Sequence, residues 1–558
     1  MTNDNPGSGE TLDRNLLALA SRNPELSILS GRAEASKAIS FVPSKTGLPV
    51  PRIVCPRGDI LLHSSVDPEK EALRLSGSCE TGGYIIFLGL GGGFQILPFL
   101  QRSDISGILV IDKDVSLFRS ILARYDLRKL ILDPRVYLLI DSDPQAIASW
   151  ILSSYIPAIM GDIQTLFLRP RMETEEEYFR SVLEGIKGVL GKLADDYTVQ
   201  THFGKKWFIN TLANLETAEE STATLSPIKK AFITGAGPSL ERQLPVIREQ
   251  RSSATLIATD TSLPCLLEAG IPPDLVISID CQQITYHHFL AGYPEEIPLV
   301  LDLASPAGIT RLSRKNVFFS SGHPFSQYVN SNWRHFPRID ISGGNVSHAA
   351  VSLADTLGAE EIRLYGTDFS FPEGKSYARG SYLYPYFMER EYRSVPLEGH
   401  FYSFLMRNKN IVKEYSPQGI RYTTKPMISY KERLEEASRG LQARLIPEAG
   451  LGVPLMIDAS LKKKRSERVS RFFSAGKPEC PWREFLADYH RGLTQLPEPF
   501  DPLASYFEAL SAGEKDLWTT LYPAAAVVRK SRGKDSPPGA AILSDVRTWS
   551  LDILRHYL

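Results

Sequence analysis

The chain has little cysteine. Its five residues, Cys55, Cys79, Cys265, Cys281 and Cys480, lie far apart with no CxxC pair. That spacing argues against a zinc site or a disulfide framework and suits a reducing compartment. Net charge is nearly absent too: Lys plus Arg number 63 and Asp plus Glu 64, leaving a formal charge of -1. Nothing electrostatic therefore favours nucleic acid or an anionic membrane as a partner. The start, MTNDNPGSGETLDRN, is polar and acidic, and lacks the basic and apolar regions of a signal peptide. The most apolar long stretch, Tyr84–Leu100, is broken by Gly89, Gly91, Gly92, Gly93 and Pro98. It reads as a buried strand and a loop, and not as a membrane span. These absences predict a cytoplasmic protein.

What is present suits a large soluble protein. The hydrophobic share of 43% and charged share of 23% are ordinary for globular chains. The 558 residues allow about three domains, at roughly 150 residues each. Residues 1–50 read as a frayed start and accessory segment. Residues 51–195 alternate strands with helices, which implies a parallel sheet: Tyr84–Leu88, Ile108–Ile111 and Val136–Ile140 are the strands. Met172–Leu193 and Lys205–Glu219 read as helices linking two lobes. Residues 196–424 form a second α/β domain, and 425–558 read as mostly helical, with loops at Gly450–Pro454, Ala475–Pro481 and Ser531–Gly539. No short tandem repeat is evident. The fold class is α/β: two Rossmann-like domains in tandem and a helical C-terminal region.

Two glycine-rich turns follow strands. In the first, Gly89-Leu90-Gly91-Gly92-Gly93 is followed, after the next strand, by Asp112. In nucleoside-binding sheets such an acid holds ribose hydroxyls. The alternative is a sheet that kept the turn and lost the ligand, and it is favoured because no methyltransferase tetrapeptide follows. The second turn is the most informative segment: Phe232-Ile233-Thr234 runs into Gly235-Ala236-Gly237-Pro238-Ser239. Glycines there let backbone approach a ligand, and the following helix offers amides to a phosphate. Pro238 fits a first helical turn. The turn has neither a Walker lysine nor a third dinucleotide glycine.

More strand ends follow. Leu256–Ala258 ends at Asp260 and Leu275–Ile279 ends at Asp280, the edge where open α/β sheets bind ligands. Ser342-Gly343-Gly344-Asn345 precedes a helix and forms a second anion cradle, or an ordinary cap. Glu361–Phe369 is a strand closing on Gly366 and Asp368, with Tyr377 beyond it and Gly399-His400 further on.

GAGPSL, PPDLVISID, SGGNVSHAA and LGAEEIRLYGTDFSFPEGKSYARG, in this order, resemble the central domain of the motility accessory factor family. Members of that family resemble flagellin glycosyltransferases that transfer nonulosonic acids of the pseudaminic or legionaminic type. The domain is also similar to bacterial CMP-sialic-acid sialyltransferases and to archaeal-type hydroxymethylpterin diphosphokinases. The resemblance is strongest over residues 200–424. It implies that Gly235, Gly237, Pro238 and Ser239 match a Gly-Asn-Gly-Pro-Ser nucleotide turn, with Ala236 in place of the asparagine. Two donor-binding asparagines align with Asp260 and Asp280. Ser342, Gly343, Gly344 and Asn345 match the loop near the donor phosphate or carboxylate, and Asp368 lines the same site. Tyr377 matches one of two tyrosines that steady the leaving phosphate, while Ser370 and Phe371 stand where its companion would be. His400 matches a Gly-His general base. Without the resemblance, His400 reads as a surface histidine. His287, His288, His323 and His348 compete with it, His348 most closely.

The reading that follows is a CMP-sugar-dependent glycosyltransferase that modifies Ser or Thr of flagellin. His400 takes the acceptor proton, Tyr377 donates to the departing phosphate, and no cofactor is required. A divalent metal is compatible but not implied. A pterin diphosphokinase is the rival reading: it would use ATP and Mg²⁺, with Asp260 and Asp280 as metal-holding carboxylates. A non-catalytic flagellin chaperone is a third reading.

Overall fold

Apolar runs that stop at a glycine or an aspartate build two parallel sheets. The computed structural model describes residues 8–54, 58–457, 472–533 and 537–558. The first seven residues, Cys55 and part of the Ser531–Gly539 loop lie outside the described residues. The chain divides into two units, residues 1–204 with 492–552, and residues 205–491 with 553–558.

In the first unit, β1 (Ile39–Pro43), β2 (Pro49–Ile53) and β3 (Ile60–Leu61) form a small antiparallel sheet. Next, β4 (Gly83–Leu88), β5 (Ile105–Asp112), β6 (Val136–Ile140) and β7 (Ile163–Phe167) form a parallel sheet in the order β6-β5-β4-β7. Side chains alternate between its faces. Ile85, Phe87, Ile108 and Val110 pack with Phe99, Leu117 and Ile121 on one face. Tyr84, Ile86, Leu88, Leu109 and Ile111 pack with Ile147, Phe179 and Val182 on the other. Within the stretch expected to be frayed, Ser8–Arg22 and Pro24–Arg32 are helices, and their Ala18, Leu19 and Leu26 enter the first of these cores.

The two linking helices expected from the sequence are one helix of 45 residues, Glu176–Glu220. Its residues 176–204 belong to the first unit and 205–220 to the second. A Cβ at Gly204 would meet the Pro523 carbonyl of the helix Ala512–Arg532.

The second unit holds seven parallel strands: β8 (Lys230–Thr234), β9 (Thr255–Thr259), β10 (Leu275–Ser278), β11 (Leu299–Asp302), β12 (Asn316–Phe319), β13 (Glu361–Tyr365) and, after a small antiparallel sheet of β14 (Phe371–Pro372), β15 (Val412–Ser416) and β16 (Gly419–Thr423), β17 (Arg444–Pro447). Their order is β12-β11-β10-β9-β8-β13-β17. The direction of strand addition reverses between β8 and β13, so the loops after these strands flank a switch point. The helix Val346–Thr356 lays Ala349, Ala350 and Leu353 on Ile233, Ile257, Ile277 and Ile362. A buried leucine such as Leu353 contributes about 1.5–3 kcal/mol.

The C-terminal region is largely helical, as expected, with one departure. Arg444–Pro447 is the edge strand β17 and pairs in parallel with β13. Among the described residues no helix is long and apolar enough to cross a membrane.

Candidate functional site

The glycine-rich turn of the first unit is filled from within. Asp112 accepts from Leu90 N at 2.7 Å and Lys113 N at 2.8 Å, and pairs with Arg171 Nε at 2.8 Å. Arg171 is buried and also donates to the Lys113 carbonyl. Gly92 N donates to His63 Nε2 at 2.8 Å. Burial drives the His63 pKa down to about 3, which keeps the ring neutral and able to accept. Burial raises the Asp112 pKa, with Arg171 and the two amides opposing it. Arginine and histidine thus stand where ribose and phosphate would bind. This geometry favours the turn without a ligand.

In the second unit the turn after β8 is also engaged. Gly235 N donates to the Tyr365 carbonyl and Gly237 N to the Gly366 carbonyl, both at 2.8 Å. Ser239 N donates to Asp368 Oδ2 at 2.8 Å, and Ser239 Oγ donates to Asp368 Oδ1. Leu451 N in turn donates to Ser239 Oγ at 2.6 Å. Asp368, read from sequence as donor-binding, is therefore the anion on the N-terminus of the helix Leu240–Glu249. Burial raises its pKa and the Ser239 bonds hold it down. A Cβ on Gly237 would lie 2.6 Å from the Gly366 carbonyl oxygen. That glycine is needed for the approach of two protein loops.

The second small-residue loop adjoins the first. Asn345 caps the helix Val346–Thr356 by accepting from His348 N at 3.0 Å. Ser342 N donates to Asp340 Oδ1 at 2.9 Å, and Gly344 has a φ of 76°. A Cβ on Gly343 would strike the His348 ring, and one on Gly235 would lie 3.4 Å from Ser347 Oγ. The amides of Val346 and Ser347, in the first turn, have no partner within their helix. Ala378 N donates to the Ala236 carbonyl at 2.7 Å, which ties the Tyr377 loop to the turn after β8.

Carboxylates stand at successive strand ends. Asp260 is buried and accepts from Thr261 N at 2.7 Å and from Ser278 Oγ at 2.6 Å. Asp280 accepts from Gln282 N at 3.0 Å. Burial and, more weakly, the charge of Asp260 raise its pKa, while His288 acts the other way. The Tyr377 pKa is raised by burial, by Tyr382 and by the charge of Asp260. Tyr377 and Tyr382 have ring centroids 6.3 Å apart, and His288 meets Tyr382 edge-on at 4.7 Å. Asp260, Asp280, His288, Tyr377 and Tyr382 are thereby one connected set.

Asp302, at the end of β11, was missed in the sequence, although Leu299-Val300-Leu301-Asp302 carries the same signal as the other two strand ends. It is fully buried. Its Oδ1 accepts from Ala304 N at 2.9 Å, and its Oδ2 has no hydrogen bond. Thr285 Oγ1, His288 Nδ1, Ser320 Oγ, Ser321 Oγ, Ser376 Oγ and Ser381 Oγ also lack partners. These atoms belong to segments that follow β10, β12 and β14. Buried polar atoms without partners are rare elsewhere in proteins and mark places where water or a ligand completes the bonding.

The other histidines are placed differently. His400 lies on the helix Leu397–Leu405, with Nε2 3.0 Å from the Arg390 carbonyl and its ring stacked 5.6 Å from Phe387. None of these partners is a strand-end group. His348 is buried 3.6 Å from Asp340, and burial lowers its pKa. His323 stacks on Trp207 at 4.0 Å, and His287 is 6.1 Å from Tyr382. Among the described residues no group of three His, Cys, Asp or Glu side chains is arranged to hold a metal ion.

Residues 208–374 match a protein-family model described as 6-hydroxymethylpterin diphosphokinase MptE-like. An uncharacterised protein of Treponema pallidum is 34% identical over 167 residues, 29% of this chain and 80% of that protein. The 6-hydroxymethyl-7,8-dihydropterin pyrophosphokinase of Pyrococcus furiosus is 26% identical over 159 residues, which cover 26% of this chain and 59% of that enzyme. A solved structure, the MAf glycosyltransferase from Magnetospirillum magneticum AMB-1, superimposes with a TM-score of 0.57 at 16% identity. That match covers 99% of this chain and 94% of the other. The fold match spans the whole chain, and the pterin-enzyme match is confined to the second unit.

Proposed function

We propose that this chain, which belongs to the same family as the Treponema protein and has the fold of the MAf enzyme, is a glycosyltransferase. The donor is a CMP-linked nonulosonic acid, the acceptor a Ser or Thr hydroxyl of flagellin, and the compartment the cytoplasm. One observation carries the reading. Asp260, Asp280, Tyr377 and the N-terminus of the helix Val346–Thr356 converge on one edge of a parallel sheet, beside polar atoms without partners.

In this reading the first-turn amides of that helix, with Ser342–Asn345, hold the donor phosphate. Gly235–Ser239 provides mainly the floor, since the amides of Gly235, Gly237 and Ser239 are engaged by Tyr365, Gly366 and Asp368. Asp260 and Asp280 orient hydroxyls of the donor. Tyr377 remains a neutral phenol and donates to the phosphate oxygen as CMP leaves. The test is thermal protection. Ligand at a hundred times its Kd should stabilise by about 2.7 kcal/mol. CMP should protect more than ATP with Mg²⁺, and co-expressed flagellin should gain the mass of the sugar. A flagellin of unchanged mass, with CMP still bound, would favour a carrier or chaperone.

The similarity of residues 208–374 to pterin diphosphokinases supports a second reading. Asp260 and Asp280 could supply carboxylates to Mg²⁺, with Thr261 and Ser278 orienting the Asp260 carboxylate by hydrogen bonds. Stronger protection by ATP with Mg²⁺, and transfer of a diphosphate group from ATP to a hydroxymethylpterin with release of AMP, would establish it.

A further inference from the structure

We propose that His288, and not His400, receives the proton of the acceptor hydroxyl. The proposal rests on the glycosyltransferase reading and names a residue within the same site.

The transfer needs a basic atom beside the sugar's anomeric carbon. His400 already has Nε2 at the Arg390 carbonyl and its ring against Phe387, on a helix whose apolar side joins Leu383, Tyr384 and Phe401. His348 is held by Asp340 and pressed on Gly343. His323 is stacked on Trp207. His288 combines an electrostatic interaction with the strand-end carboxylate Asp280 and a ring contact with the Tyr377–Tyr382 pair, whereas His323, which interacts with the strand-end Asp302, has its ring against Trp207. Its Nδ1 makes no hydrogen bond although it is covered, and neighbouring Thr285 Oγ1 is likewise without a partner. His288 is half-buried, on the short helix Gln283–Phe289 directly after the β10 strand end. Tyr382 fixes the ring plane from its edge, while Asp280 stabilises the imidazolium once it forms.

The step balances as follows. The acceptor O–H bond breaks and its proton passes to the imidazole nitrogen. The oxygen's electron pair forms the bond to the anomeric carbon. The bond from that carbon to the phosphate oxygen breaks, and its electron pair leaves on CMP, which accepts a hydrogen bond from Tyr377. The imidazolium then releases its proton to solvent.

The experiment uses the full chain co-purified or mixed with flagellin. It measures CMP affinity by titration, transfer by intact mass under saturating CMP-sugar, and folding by thermal midpoint. H288A and H288N should transfer about 10²–10⁴-fold more slowly, with CMP affinity within twofold of the parent and kcat reduced rather than KM raised. H400A should transfer within about threefold of the parent. Parent-rate transfer by both His288 variants overturns the proposal and leaves the glycosyltransferase reading intact. A slow H288A together with a parent-rate H288N also overturns it, because Asn cannot take the proton and the ring would then matter only for shape. Loss of CMP affinity in step with transfer shows a binding role and overturns it as well. A parent chain that binds no CMP and transfers nothing overturns both readings.

Discussion

Asp368 separates a structural turn from a ligand-binding one. Its carboxylate takes the Ser239 amide and hydroxyl at the start of the helix Leu240–Glu249, and it is 5% exposed. In Asp368→Ala both donors lose their acceptor in a buried place, at about 1–3 kcal/mol each. The lost anion at the helix N-terminus adds about 0.3–1 kcal/mol. The sum is about 2–7 kcal/mol. At about 2 °C per kcal/mol for a unit of this size, the midpoint of the second unit should fall by roughly 4–14 °C. Asp368→Asn keeps an oxygen for the Ser239 amide, and Ser239 Oγ can accept from the new NH₂. It should lose only about 1–2 kcal/mol. CMP titrated into Asp368→Asn should bind as it does to the parent, within a factor of two. Scanning calorimetry and the titration read the two quantities separately. An Asp368→Asn chain that melts with the parent yet binds CMP tenfold more weakly would refute the reasoning, because the carboxylate would then be reserved for ligand.

Two further outcomes follow from the glycines and the histidines. The sequence alone suggests that Gly237→Val loses nucleotide and keeps its fold. With the Gly366 carbonyl 2.6 Å from the new Cβ, the substitution should itself destabilise by about 1–3 kcal/mol, seen as a lower midpoint, and an unchanged midpoint would contradict the packing. His63 titrates near 3 in the fold against about 6.5 in an unfolded chain, so its stabilising contribution is full above pH 6.5 and lost as pH falls toward 3, by about 1.4 kcal/mol per pH unit. His63→Gln should flatten that slope in the acid unfolding of the first unit, and an unchanged slope would assign it to other groups.

The fold was legible where local pattern and final pairing agree. β4, β5, β6, β8, β9 and β10 are short apolar runs closed by Gly or Asp, and each is a strand within a residue or a few of its expected limits. β17 was not legible. Arg444-Leu445-Ile446-Pro447 has no strand pattern of its own and becomes one by pairing with β13, some eighty residues earlier in the chain. The long helix was read as two, Met172–Leu193 and Lys205–Glu219, and the stretch between them, 194–204, is helical as well. In the site, strand-end acids could be seen but their partners could not. Asp112 is answered by Arg171, and Ser239 by Asp368, across separations that no motif encodes. The small-residue turn was legible in the sequence, but that the Asp368 carboxylate occupies the start of its helix was not. His288 stood in the sequence among several histidines, and what sets it apart is the combination of Tyr382 and Asp280 beside one ring, which only the fold shows.

The division of the chain imposes an order on its synthesis. Residues 205–491 are enclosed in sequence by the two pieces of the first unit. On the ribosome the sheet of the first unit, β4–β7 with cores built from residues up to Leu193, emerges before β8, and the sheet of the second unit is complete once β17 has emerged; what waits is the packing of residues 492–552. Until then the Asp162 carboxylate lacks Arg529, and Gly204 lacks the helix that fits against it. The surface of the first unit that residues 492–552 cover, Asp162 and Gly204 among it, is thus the part exposed longest during synthesis to aggregation and to chaperones.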